Sequence, residues 1–328
     1  MSFVAYPIKV YPIFKEKIWG GRKLKEFFKI PKSHKIGEVW FFADQELDCS
    51  IISNGCYKGI KLNQMMKNYS EKLLGKEISK KYKNRFPLLF KFIDSEDKLS
   101  IQVHPDDSYA KKNNLPSGKS EAWYIVSADK NSFVLLGLKK RIKKNIIKKL
   151  ILSGQIVTNL KKYKTRVSDC YYIKGGTIHS IGPSNIIFEI QQNTDITYRI
   201  YDWGRQNLEI SRTLDLENGI KAIKINNKPI IKRKIKNEIL KNTIVNRRNL
   251  LKTREFFIYE LIMEKGDKYW YNCITPVVIS FFNGTGDIIW KCGKEKVKKG
   301  DVVLIPFVLK SFILRANDSL KCLFTEIR

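Results

Sequence analysis

Histidine is scarce in this chain, and its placement carries the first chemical signal. The imidazoles are His34, His104 and His179. In Ser100-Ile-Gln102-Val-His104-Pro-Asp-Asp, Gln102 and His104 stand two apart, which on a strand puts both side chains on one face, ~7 Å apart along the chain. Gly118-Lys119-Ser-Glu121-Ala-Trp opens another apolar run soon after, and Gly175-Gly-Thr-Ile-His179 supplies a further imidazole. Two neutral nitrogens, one carboxylate and one amide oxygen form a borderline-hard donor set that suits Zn²⁺, with room for water or substrate. The bland alternative is two unrelated histidines, each bonded to backbone, and donors this far apart in sequence do not decide between the two. His34 lies in a polar Lys-Ser-His-Lys loop and reads as a structural or surface residue.

The elements that must position such groups read mostly as short strands. Gly37-Glu-Val-Trp-Phe-Phe-Ala, Glu121-Ala-Trp-Tyr-Ile-Val, Ser132-Phe-Val-Leu-Leu-Gly and Ile186-Ile-Phe-Glu-Ile-Gln-Gln are rich in β-branched and aromatic residues and bounded by turn formers. Helical patterns are fewer: Arg141–Gln155 sets isoleucines on one face and lysines on the other, and Leu62–Tyr82 is a second. Asp169-Cys-Tyr-Tyr-Ile-Lys-Gly-Gly-Thr-Ile-His-Ser aligns with Asp301-Val-Val-Leu-Ile-Pro-Phe-Val-Leu-Lys-Ser-Phe, each an acidic turn residue, an apolar strand and another turn. The second copy has the G-D-x4-P spacing of cupin jelly rolls, with Ser311 where the first has His179. The expected fold is therefore all-β with inserted helices: two cupin-type jelly-roll barrels, only the N-terminal one keeping a metal position. We expect a catalytic domain over residues 1–235 and a metal-free domain over 236–328, joined through the basic stretch Lys221–Lys252.

Composition bounds the function class. In 328 residues, 62 basic and 32 acidic side chains leave a formal charge of +30, while 43% hydrophobic content excludes a disordered chain. Lysine is spread along the whole sequence with abundant Ile, Asn, Phe and Tyr, and no zinc finger, helix-turn-helix or RNP motif accompanies it. This reads as a solvated basic surface that draws in a small anion rather than as a polynucleotide site. Six scattered cysteines without a C-x-x-C pair suit reduced thiols. The longest apolar runs are strand-sized and no secretion signal opens the chain, so a soluble, cytoplasmic protein is expected.

Ordered motifs sharpen this. Phe14-Lys-Glu-Lys-Ile-Trp19-Gly-Gly21, Gly37-Glu-Val-Trp40, Asn54-Gly-Cys-Tyr-Lys-Gly59 and Arg85-Phe-Pro-Leu-Leu-Phe-Lys-Phe-Ile-Asp94 are followed by four more specific ones. These are Ile101-Gln-Val-His-Pro-Asp-Asp107, Gly118-Lys-Ser-Glu-Ala-Trp123, Gly176-Thr-Ile-His179 and Glu189-Ile-Gln-Gln-Asn-Thr-Asp-Ile-Thr-Tyr-Arg-Ile-Tyr-Asp202. Through most of its first 205 residues the chain resembles the class I mannose-6-phosphate isomerases of the short bacterial type; beyond Glu209 it matches only as a second cupin. The resemblance implies that His104, Glu121 and His179 hold one Zn²⁺ per chain, with Gln102 as a fourth ligand where the short subtype often has lysine. It also implies that Arg199 is an active-site arginine and that Lys119 is the lysine two residues before the glutamate ligand. Two turns depart from the family pattern: Lys174-Gly175-Gly176 replaces a proline-containing turn, and Ser168 replaces the glycine before Asp169.

The implied reaction interconverts mannose 6-phosphate and fructose 6-phosphate by proton transfer through an enediol(ate). Arg199 suits a bidentate grip on anionic oxygen, the alternative being a rim ion pair with Asp195 or Asp202. Lys119 or Glu189 is the expected proton carrier, each by a shifted pKa. No P-loop is present, and Gly284-Thr-Gly286 reads as a hairpin turn, so Arg205 or Lys119 is expected to hold the phosphate. A phosphorylated sugar is the expected partner, without nucleic acid or membrane, for a monomer or homodimer. The rivals are a metal cupin that binds sugar without turnover, a cupin dioxygenase and a basic nucleic-acid-binding protein.

Overall fold

The structure is a computed structural model that describes residues 3–31, 33–205, 212–234 and 245–328. Two compact units interleave along the chain: Phe14–Trp40 with Leu89–Lys234, and Met1–Ile13 with Phe41–Leu88 and Ile235–Arg328. The expected border at residues 235 and 236 lies outside the described residues. The N-terminal segments 1–13 and 41–88, expected with the first domain, belong to the second unit's compact body instead. Long-range strand pairing is the cause, since Ile8 and Lys9 join the sheet edge opposite Leu304 and Val303.

In the unit containing His104, a five-stranded sheet runs in the order Tyr198–Tyr201, Ile101–Val103, His179–Ile181, Phe133–Leu138, Leu160–Lys164. A seven-stranded sheet contains Ile230–Lys232, Cys170–Ile173, Glu121–Ala128, Asn185–Gln192, Leu88–Ser95, Ile13–Gly21 and Ile36–Phe41. Alternation along each strand turns every second residue inward. Trp19, Ile93, Trp123, Ile125, Leu136 and Ile187 thereby meet between the sheets in one buried cluster. The outer face of the five-stranded sheet is covered by the helices Lys144–Leu152 and Leu216–Ala222, through Ile147, Ile151 and Ala222. The expected helix over Arg141–Gln155 is thus present, shorter at both ends.

The other unit also pairs two sheets. Six strands (Ile8–Lys9, Val302–Ile305, Val277–Asn283, Leu320–Ile327, Phe256–Met263, Asn246–Lys252) face four (Lys268–Asn272, Ser311–Ala316, Thr285–Trp290, Gly293–Lys298). Tyr259, Ile279, Phe281, Phe312 and Phe324 fill its interior. Gly284-Thr285 is a corner from one sheet to the other rather than a hairpin, because the strands on its two sides pair with different partners. The helix expected over Leu62–Tyr82 breaks into Leu62–Leu74 and Lys76–Lys81 at Gly75, whose φ of +80° ends the first helix.

The internal similarity has a structural counterpart. Cys170–Ile173 and Val302–Ile305 each lie in the larger sheet of their unit, and each is followed by a turn and a strand in the smaller sheet, opening with His179 and Ser311 respectively. The basic stretch Lys221–Lys252 begins in the helix Leu216–Ala222, includes the edge strand Ile230–Lys232 and ends with the strand Asn246–Lys252.

Candidate metal and substrate site

Cross-strand register assembles half of the site. Arg199, Gln102 and His179 are Cα partners on three adjacent strands of the five-stranded sheet, so their side chains stand in one row. His104 follows one residue after the central strand of that row. Glu121 comes from the facing sheet, on the same face as Trp123. His104, Glu121 and His179 are buried, and one ligand atom from each lies within 4.8 Å of the others.

The hydrogen bonds behind the imidazoles set their chemistry. His104 Nδ1 lies 2.8 Å from the Ile196 carbonyl and His179 Nδ1 2.8 Å from the Thr177 carbonyl. A carbonyl only accepts, so both Nδ1 atoms carry the proton and both Nε2 lone pairs face inward. Burial, chiefly, holds His104 well below the ordinary imidazole range and pushes His179 down to about 4, with the Lys119 charge acting in the same direction. Both rings are therefore neutral near pH 7, as ligands must be. The Nε2 atoms lie 3.4 Å from the two Glu121 oxygens. Glu121 Oε1 is buried and accepts no hydrogen bond. The His179 Nε2 lone pair faces that orphaned oxygen at 3.4 Å and the two repel unless a cation stands between them, so the donor set fits a divalent metal. Gln102 Nε2 is 3.2 Å from His179 Nε2, and turning the amide over would present its oxygen instead. Lys119 Nζ donates to Glu121 Oε2 at 2.7 Å and to His104 Nε2 at 3.0 Å, so positive charge is already drawn to the cluster.

A polar cavity opens beside this cluster. Lys17, Glu38, Lys91, Gln102, Lys119, Glu189, Asp195, Arg199 and Arg212 are among its lining residues. Buried Lys91 lies 3.3 Å from Asp195, 3.7 Å from Glu189 and 3.8 Å from Glu38, and its ammonium sits over the Trp40 ring at 4.4 Å. Those carboxylates raise its pKa against the opposing effect of burial. Glu189 accepts from Trp123 Nε1 at 2.9 Å. Burial, then the charge of Glu121, raises the Glu189 pKa above the ordinary carboxylate value.

The structure therefore brings together Gln102, His104, Lys119, Glu121, His179, Glu189 and Arg199. The rim ion pair considered for Arg199 is not formed: Asp195 takes Lys91, and Asp202 takes Arg205 and Arg212. Arg199 Nε is buried without a partner. Arg205 is not among the residues lining the cavity. Its guanidinium is engaged by Asp202 at 2.6 Å, Asp97 at 3.3 Å and the Lys98 carbonyl at 2.9 Å. Arg212, from the same neighbourhood, lines the cavity in its stead, also paired with Asp202 at 2.7 Å. His34 is exposed and paired with Glu16, as a surface residue. Sequence reasoning assigned no role to Lys17, Glu38, Lys91 or Arg212. For Lys91 a signal existed: a lysine within the otherwise apolar run Leu88-Leu-Phe-Lys-Phe-Ile, on a strand buried at every position.

The Lys174-Gly175-Gly176 turn, one of the two that depart from the family pattern, packs directly against the chain at His104. At Gly175 an added Cβ would meet the Pro105 carbonyl at 2.5 Å, so the glycine permits a close approach to the chain beside His104. Gly176 N–H donates to the His104 carbonyl at 2.7 Å.

Comparison with known proteins agrees with this architecture. Residues 8–135 match the model of the phosphomannose isomerase type I catalytic domain. The mannose-6-phosphate isomerase ManA of Bacillus subtilis is 32% identical over 310 residues, 94% of this chain and 95% of that protein. The mannose-6-phosphate isomerase of Streptococcus mutans is 32% identical over 314 residues, with the same shares covered. The crystal structure of the Bacillus subtilis mannose 6-phosphate isomerase superposes with a TM-score of 0.85 at 28% identity, covering 98% of this chain and 99% of that one. A mannose 6-phosphate isomerase crystallised with zinc and yttrium shares the fold, with a TM-score of 0.74 at 12% identity, 98% of this chain and 100% of that one being covered. Identity of this level across nearly the whole length makes the chain a member of the type I mannose-6-phosphate isomerase family.

Proposed function

We propose that this protein interconverts mannose 6-phosphate and fructose 6-phosphate, with one Zn²⁺ held by His104, Glu121 and His179 and completed by the Gln102 amide oxygen. The observation that carries the reading is the orphaned Glu121 Oε1 facing the neutral His179 imidazole, with neutral His104 against the other oxygen, at the edge of a polar cavity that Lys17, Arg199 and Arg212 help to line. Zinc, when bound, supplies a Lewis acid for sugar oxygens.

The chain's own residues account for the rest. Isomerisation of the open-chain aldose moves a proton from C2 to C1 and the O2 proton to O1, through an enediol(ate). Glu189 carries the carbon-bound proton, because its raised pKa brings it nearer to neutrality and Trp123 fixes its carboxylate. Lys119 steadies negative charge on the sugar oxygens beside the metal ligands. Arg199 meets the same developing charge with an unengaged Nε–H. Arg212 and Lys17, at the cavity wall, hold the phosphate dianion in place of Arg205.

In this reading the metal belongs to one of two jelly-roll barrels. Ser311 stands where His179 stands in the other, and Tyr259, Tyr271, Phe312 and Phe324 occupy the interior of the second. Among the described residues no helix is long and apolar enough to cross a membrane. A cytoplasmic enzyme of sugar phosphate metabolism, as monomer or homodimer, is the setting we propose.

The test is a coupled assay of mannose 6-phosphate conversion on the full chain before and after chelation, with zinc content measured in parallel. Activity should vanish with the metal and return with added Zn²⁺, and Arg199→Ala should retain zinc while losing about a hundredfold or more in kcat, the scale for one oxyanion donor. A chain that holds one zinc and turns over no mannose 6-phosphate would move the assignment to a sugar-binding cupin.

A further inference from the structure

A second cavity, of about 480 Å³, lies in the same unit and shares no lining residue with the first. Lys139, Lys140, Arg141, Lys161 and Lys228 line it, with Asn227 among the polar groups and no acidic side chain. Lys139, Lys140, Arg141 and Lys228 are exposed and Lys161 is half-buried, and among the described residues none of the five forms an ion pair. Cations gathered in a concavity raise each other's energy unless an anion joins them, and the concave wall focuses the field on whatever enters.

The backbone around this cavity is built rather than loose. Gly137, at φ +70°, interrupts the register between Leu135 and Leu138, and the positions flanking the missing side chain are the Asn227 carbonyl at 3.6 Å and Pro229 at 3.8 Å. Lys139 N–H donates to the Asn159 carbonyl at 2.8 Å, and Lys161 stands on the neighbouring strand Leu160–Lys164. The opposite wall is the loop from Ile225 to Pro229.

That loop is also tied to the metal ligands. Asn227 Nδ2 donates to the Gly175 carbonyl at 2.9 Å and to Thr177 Oγ1 at 3.2 Å. Thr177 in turn accepts the His179 Nδ1–H through its carbonyl. We propose that this cavity is a binding site for a small organic diphosphate, and that its occupancy orders the Gly175–His179 turn through Asn227. The volume suits a metabolite rather than a bare ion, and five cations call for more charge than one phosphate monoester brings. The site is distinct from the substrate cavity, and its existence does not depend on the isomerase assignment.

Calorimetric titration of the full chain with ADP and, separately, with inorganic pyrophosphate tests binding without reference to turnover. Binding should weaken about tenfold or more in a Lys139→Ser/Arg141→Ser/Lys161→Ser variant, the scale of one lost charge-assisted contact. It should persist in Arg199→Ala, and in a Lys268→Ser/Lys294→Ser/Lys296→Ser control that removes the same charge from the other unit. Equal weakening in that control would mean nonspecific attraction, and unchanged binding in the first variant would place the ligand elsewhere; either overturns the site. Hydrogen exchange tests the coupling: ADP should slow the Gly176 and Thr177 amides in the native chain but not in Asn227→Ala. Protection limited to the Ile225–Pro229 loop in the native chain would refute the coupling.

Discussion

Two buried imidazoles kept neutral make a prediction about acid. The ordinary imidazole value of 6.5 is pushed down to about 4 for His179, with His104 moving in the same direction. In the metal-free chain the unfolded state takes up these protons first as pH falls through 6.5, so the folded state loses stability from there down to about 4. For His179 alone the loss between pH 6.5 and 5 is about 2 kcal/mol, at ~1.4 kcal/mol for each unit of pH. Denaturant unfolding of the chelated protein at pH 7 and pH 5 measures it. His179→Gln cannot take up that proton and should lose correspondingly less over the same interval. An identical pH slope in the two proteins would mean that His179 is not held neutral in the folded chain.

At the scale of elements, the turn before Asp169 stores strain that substitution can expose. Ser168 is buried at φ +69°, a left-handed conformation that costs a non-glycine residue about 1–2 kcal/mol. Its Oγ accepts from the Tyr124 hydroxyl at 3.3 Å, which offsets part of that cost. Ser168→Gly should therefore sit at or above the native melting temperature, and Ser168→Val, β-branched at positive φ, clearly below it. Thermal unfolding of the two variants decides, and a valine variant as stable as native would show that the turn relaxes. This turn was legible in the sequence because the Asp169 and Asp301 copies align, and because a strand, a turn and a second strand are local features. The break at Gly75 was hidden because the apolar face continues from Leu62 past it, so periodicity alone joins the two helices. Arg205 and Arg212 could not be told apart for a related reason. Both reach Asp202, and only the path of the backbone decides which one also faces the cavity.

For the whole molecule, sequence motifs pointed to the buried cluster of His104, Glu121 and His179, since each lies in a distinctive run. The division into compact units was not readable, because it depends on strands such as Ile8–Lys9 pairing with partners nearly three hundred residues away. Nor was the ring of charge around Lys91, where Glu38, Glu189 and Asp195 converge from separate strands and loops. Net charge, in contrast, is fully visible, and +30 has a kinetic consequence. A sugar phosphate is an anion, so the field of the protein accelerates its capture without acting on the chemical step. Raising ionic strength from about 0.01 M to about 0.15 M shortens the screening length from ~30 Å to ~8 Å, which removes most of the long-range attraction. In the isomerase assay kcat/KM for mannose 6-phosphate should fall severalfold over that range while kcat stays within about twofold. The opposite pattern, a falling kcat at constant KM, would mean that salt acts on the buried ion pairs of the site and that the +30 charge does not serve substrate capture.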